Sequence, residues 1–445
     1  MKQTLTFDVS TIASTESQIN VDAFDRSMEA FEKKQYNESF LTLLDYINPE
    51  LRTKFGNAAG DEFHIPHGSI VVNISLKDNR LYISAPFLAL PEKNRVPLLR
   101  QVASLNINNL DLTRIVLRED KLYFEYGCPM DMVNPYKIYY ILNEICQTGD
   151  RYDDEFSTKF GAQRIYEPKI TPYDAEMVDR VYDVIQLSCR ECLDAVKYFE
   201  SERKYSYAWN ILASTMLKVL YFAHPQGQLL NDLDKAVKEH DREDIPLPEI
   251  VARGKETVAW MQGLSKEQLA QDLYFVETFV PGKRRSNLKN IQENFKNTYT
   301  NATSALEGGD YMACCVMIVY KFYEMYYYND VQDDVNAVVV RAMKAASAKP
   351  WEEAAPILQD ALDDIMEGEL ELLPEDGEEE EVDMSAYMQN MQAFQQQALA
   401  MQQQAMANAQ QAMQGVDMAE YMKNIQKMMS SMMGGAAGND NTDKE

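Results

Sequence analysis

No stretch of eighteen consecutive apolar residues occurs in the sequence, which excludes an ordinary membrane-spanning helix. Cysteine is scarce. Six in 445 residues make no disulfide framework, so reduced thiols are the expected state. An apolar leader is missing as well: Met1 to Asp8 is polar where a secretory signal carries its hydrophobic core, and the expected location is cytoplasmic. Basic charge is in short supply, with 43 Lys and Arg against 70 Asp and Glu and a formal net charge of −27. That balance argues against nucleic-acid binding through phosphate neutralisation. Nor is there a glycine-rich phosphate loop, a GxSxG elbow or an HExxH pair. These absences point to a chain that is not an enzyme and needs no cofactor or metal.

What is present is ordinary for a globular chain, 46% hydrophobic and 25% charged, and its length predicts two or three folded units. The acidity is uneven. Fifteen Asp or Glu and no Lys or Arg lie between Trp351 and Asp383. The densest part, Pro374 to Glu381, repels itself and has nothing apolar to bury, which predicts a disordered linker over 371–383. Beyond it, 384–445 forms a Met- and Gln-rich low-complexity tail holding twelve of the 24 methionines. Residues 382–392 recur as 416–426: Met384 matches Met418, Tyr387 matches Tyr421, and Met388 matches Met422. Each set falls on one helical face behind an Asp suited to capping, so the tail is expected to be disordered or partly helical. Methionine faces suit adaptable recognition, and two copies can bind bivalently. The bland alternative is low-complexity drift.

Residues 1–165 read as an α+β unit. Helical spacing covers 21–33 and 36–47, and a hairpin follows over 69–87 around Asp78-Asn79. A helix covers 94–105, a second hairpin 113–126, and a last helix 134–146. The strand period of two puts Ile70, Ile74, Leu81, Ile83, Ile115, Leu117, Leu122 and Phe124 on the face that meets helices. Val71, Tyr82, Val116 and Tyr123 point the other way. An antiparallel sheet either exposes such a face to water or offers it to a protein partner.

This order, helix, hairpin, helix, hairpin, helix, with Leu99 to Asn106 leading into Ile115 to Phe124, resembles the YbjN-like and type III secretion chaperone-like superfamily. The resemblance covers about a third of the chain. It implies an antiparallel sheet with helices on one face that binds polypeptide or forms a homodimer, without catalysis. The long extension and acidic Met-rich tail depart from compact secretion chaperones.

From 166 to 370 the pattern predicts an all-α domain, a bundle or irregular helical array with no fixed repeat period. Helices are expected over 177–200, 205–223, 229–240, 249–262, 266–279, 286–306, 310–329, 331–348 and 351–366. Tyr311 to Tyr320 is apolar all round and predicts a fully buried helix. The tyrosines from Tyr320 to Tyr328 suit a core edge or an interface. Cys189 and Cys192 have CxxC spacing but lie inside a helix pattern without a second ligand pair. His64-Ile-Pro-His67 reads as a surface loop, and Lys283-Arg284-Arg285 as a solvated turn.

The expected function is therefore that of an adaptor or chaperone-like protein, binding a protein or peptide client rather than nucleic acid or membrane. Its expected binding residues are Val71, Tyr82, Val116 and Tyr123 on the sheet and Met384, Tyr387, Met388, Met418, Tyr421 and Met422 in the tail. A scaffold subunit and an enzyme with an unrecognised pocket in the helical domain are the alternatives.

Overall fold

The computed structural model describes residues 3–11, 19–276 and 278–370. The acidic linker and the Met-rich tail, with Met384, Tyr387, Met388, Met418, Tyr421 and Met422, lie outside the described residues.

Asn20 caps α1 (Val21–Glu32) by accepting from the Ala23 N–H, and α2 (Tyr36–Ile47) and the short α3 (Leu51–Phe55) follow. Three strands then form a meander: β1 (Glu62–His67), β2 (Ile70–Lys77) and β3 (Arg80–Ala89). The β2–β3 turn uses Asp78 and Asn79 at φ 51° and 55°, the left-handed pair that two-residue hairpins require. Next come α4 (Arg95–Asn108), β4 (Arg114–Arg118), β5 (Lys121–Pro129), α5 (Pro135–Phe160) and β6 (Gln163–Arg164). The antiparallel sheet has the order β1-β2-β3-β5-β4, with β6 paired to β3. One face is apolar and buried: Phe63, Ile65, Ile70, Val72, Ile74, Leu81, Ile83, Ile115, Leu122 and Phe124 join α2, α4 and α5 in a single core. Leu117 shares that face, yet it sits near the end of the edge strand and remains 47% exposed.

The structure corrects the sequence reading at several points. His64 to His67 is not a loop but part of edge strand β1, where alternation buries Phe63, Ile65 and His67. Pro66 obscured the strand, and an edge strand is where a proline is tolerated. The helix expected to stop near Cys146 continues to Phe160, because Asp153 is drawn into an ion pair with Arg164 and Phe156 is buried in the core. Arg285 is no solvated turn: it lies in a short strand and pairs with Asp330 at 3.0 Å.

The second half is helical, with α6 (Ala175–Ser201), α7 (Tyr205–Ala223), α8 (Gly227–His240), α9 (Leu247–Gln262) and α10 (Lys266–Gln271). It continues with α11 (Leu288–Glu307), α12 (Tyr311–Tyr328), α13 (Asp333–Ala346) and α14 (Trp351–Glu367). Two minor pairs interrupt them: β7 (Ile170–Pro172) with β8 (Tyr274–Val276), and β9 (Arg284–Arg285) with β10 (Asn329–Asp330). The helix expected over 266–279 ends at Gln271. Asp272 instead accepts from the Gln228 and Leu229 N–H groups at the start of α8, and the chain then extends into β8.

α12 is central, packed against α7, α11 and α14, but only one side of its first half is sealed. Cys314, Cys315, Val316 and Ile318 are buried, while Met317, Val319 and Tyr320 are half-buried. The tyrosine run is a core edge: Tyr323 and Tyr326 are buried and Tyr328 is 58% exposed.

The two cores exchange segments. Residues 3–11, grouped by sequence position with the α+β unit, pack on the helical half, where Leu5 and Phe7 join its core. Phe279 and Val280, from the helical half, are fully buried in the core of the sheet. Among the described residues no helix is long and apolar enough to cross a membrane.

Candidate functional site

Residues 3–11 form an irregular strap in a groove bounded by α6, α7, α12 and the α13–α14 turn. The groove's own groups hold its backbone. Thr4 N–H donates to Lys349 O at 2.8 Å, and Thr11 N–H donates to Phe222 O at 3.0 Å. Thr6 N–H donates to Glu191 Oε2 at 3.0 Å, Phe7 N–H to Ser347 Oγ at 2.9 Å, and Lys218 Nζ to Thr6 O at 2.8 Å. Such bonds read a polypeptide backbone irrespective of side chain.

Side chains add further contacts. Thr4 Oγ1 donates to Ala346 O at 2.5 Å, and Thr6 Oγ1 donates to Glu191 Oε2 at 2.7 Å. Phe7 lies against Tyr221 and Tyr323, with ring centroids 6.1 Å and 6.5 Å apart. Asp8 Oδ2 stands 2.8 Å from Lys218 Nζ, in a pair whose side chains are only 13% and 4% exposed. Ser10 Oγ is 2.7 Å from His224 Nε2. Burial, helped by Lys283, pushes the His224 ring down to a pKa of about 4, so at neutral pH it is uncharged.

Beside the strap the groove leaves a cavity of about 30 Å³, space for about two water-sized groups. Ser188 Oγ, Tyr323 Oη and Trp351 Nε1 line it, each buried and without a hydrogen-bond partner. Burial, with Tyr221 and Asp8 nearby, holds the Tyr323 phenol neutral.

The sequence reading missed this site. Its signals were the alternation Thr4-Leu5-Thr6-Phe7-Asp8 and a lone cation, Lys218, inside the apolar run Met216 to Phe222. A buried lysine requires a partner.

The sheet residues chosen from sequence do share the face away from the helices. Val116 and Tyr123 are register partners, and Tyr123 also faces Pro86. Tyr82 is 43% exposed, while Val71, Val116 and Tyr123 are half-buried. They do not form one patch. Tyr82 pairs with Ser75, four residues or about 13 Å along β2 from Val71. Between those positions runs the polar row His64, Asn73, Ser84, Glu125 and Arg114.

A cysteine, a histidine and an aspartate also converge between the two halves. His67 Nδ1 accepts from the Phe279 and Val280 N–H groups at 2.6 and 3.2 Å, and Nε2 lies 3.0 Å from Asp150 Oδ2. Burial opposes protonation of the ring while Cys146 and Asp150 favour it, and two amides aimed at Nδ1 need a lone pair there. That geometry keeps the ring neutral, with Nε2–H donated to Asp150. Neither nitrogen is left to act as a base for the buried Cys146 thiol, itself pushed up by burial. This is a clamp. In the tight turn beside it, Gly68 has φ 53°, and a Cβ there would come within 2.0 Å of Asp150 Oδ1. Cys189 and Cys192 are buried on α6, and burial pushes both up to about 12, which keeps them as thiols.

Compared with known protein families and with curated proteins, the chain matches none.

Proposed function

We propose that the chain is a non-enzymatic adaptor or chaperone-like protein that holds a polypeptide segment of a partner in the groove between α6, α7, α12 and the α13–α14 turn. The observation that carries this reading is the set of polar hooks from Glu191, Lys218, Ser347, Lys349 and Phe222 that grip a polypeptide backbone there. Kinship of the α+β unit with the YbjN-like and type III secretion chaperone-like superfamily belongs to the same proposal. Its support is the helix-covered antiparallel sheet, which carries β1 in addition to the two expected hairpins. A cytoplasmic location is also part of the reading, supported by six free cysteines, all buried.

The test selects displayed peptides on the full chain and measures their affinity for Glu191→Lys, for Tyr82→Ser with Tyr123→Ser, and for Met388→Asp with Met422→Asp. Losing charge-assisted bonds at Glu191 is expected to weaken binding by about tenfold or more. Selected peptides that bind all three variants as well as the parent would remove groove, sheet face and tail alike from the mechanism.

A further inference from the structure

We propose that residues 3–11 are a displaceable resident ligand of the groove, and that the partner is a polypeptide segment repeating their succession of hydroxyl, apolar, hydroxyl, aromatic and carboxylate side chains. This rests on reading the groove as a polypeptide-binding site.

Each position of the succession has its own receptor. The first hydroxyl donates to Ala346 O, the second to Glu191, the aromatic ring lies against Tyr221 and Tyr323, and the carboxylate meets Lys218. The buried ammonium of Lys218 is the strictest of these. With the groove filled it is nearly cut off from water, and a segment lacking a carboxylate there leaves it unpaired. The apolar position between the hydroxyls has the least demanding contact, for Leu5 only packs against the edge of the helical core.

Displacement follows from what the strap leaves undone. Ser188 Oγ and Tyr323 Oη belong to side chains buried to 3% exposure each, and neither has a partner. Unpaired buried polar groups are unfavourable, so an occupant that places a hydroxyl or other small polar group in the cavity of about 30 Å³ beside the strap gains bonds that residues 3–11 do not make. Against that gain stands the tether. A segment joined to the same chain competes at an effective concentration on the order of millimolar, so a partner succeeds only if it binds better or arrives at high local concentration.

The experiment uses the full chain with a protease recognition sequence inserted within residues 12–18, cut after folding, and a fluorescent peptide of residues 1–11. The peptide is expected to exchange into the cut chain and to bind the uncut chain at least a hundredfold more weakly. The same peptide carrying Asp8→Lys is expected to bind the cut chain at least tenfold more weakly than the native peptide. Near-equal binding of the two peptides would overturn the assigned succession. A cut fragment that never exchanges from a chain still folded by circular dichroism would overturn displacement. Displayed peptides that bind through Glu191 but share none of the succession would defeat this inference and leave polypeptide binding standing, whereas none binding through Glu191 would defeat both. A concentration-dependent dimer of the uncut chain, abolished by Asp8→Lys, would make the occupant a second copy and overturn the separate partner.

Discussion

His224 holds one end of the strap through Ser10, and its buried ring titrates near pH 4 instead of its ordinary 6.5. A depressed folded value means that the unfolded chain takes up the proton first. The stability that His224 contributes is therefore present above pH 6.5 and is lost progressively as pH falls toward 4. The difference amounts to about 3 kcal/mol at most. Denaturant midpoints measured from pH 7 to pH 4.5 are expected to fall in the parent and to fall less in His224→Asn. Equal slopes would show that the ring does not carry the acid response. Single residues of this kind are the hardest to recognise from sequence. His224 has no motif around it, and its significance comes from a serine 214 positions away. Lys218 was more legible, because a lone cation within apolar helix announces a buried anion without naming it.

At the scale of elements, the strap owes its place to a few charged and hydroxyl contacts and little regular structure. Asp8→Ala removes the partner of Lys218, and the ammonium regains water most readily if the strap lifts. Hydrogen exchange at the Thr6 and Phe7 amides is expected to speed up by about tenfold or more, while amides in the middle of α12 stay protected. A uniform loss of protection across both would contradict a separately opening strap.

Elements with strong periodicity were readable. The 205–223 helix and the 36–47 helix have the ends expected from their apolar spacing. Elements whose limits are set by distant partners were not. β1 hides behind Pro66, α5 is prolonged by the Asp153–Arg164 pair, and α10 is cut short when Asp272 serves the start of α8. The inner and outer faces of the sheet followed from alternation, whereas the polar row dividing the outer face depends on register, which alternation alone leaves open.

Across the whole molecule, the clamp at His67 ties the sheet core to the Phe279–Val280 segment of the helical half. Replacing it as His67→Phe keeps a ring in the site but leaves the Phe279 and Val280 amides without an acceptor, at a cost of roughly 1–3 kcal/mol for each. All three tryptophans, Trp209, Trp260 and Trp351, belong to the helical half, so their fluorescence follows that half, while circular dichroism follows the entire fold. The two unfolding curves are expected to coincide in the parent and to separate in His67→Phe. Curves that stay superimposed would show that the halves are coupled mainly elsewhere.

The reciprocal placement of residues 3–11 and of Phe279 and Val280 also bears on how the chain is made. Thr4 bonds to a carbonyl 342 positions downstream, so it leaves the ribosome about 20–70 seconds before its seat has been synthesised. During translation residues 3–11 go unhoused until the groove is assembled, so on the proposed reading that early-made stretch and any polypeptide already nearby would compete to be its first occupant.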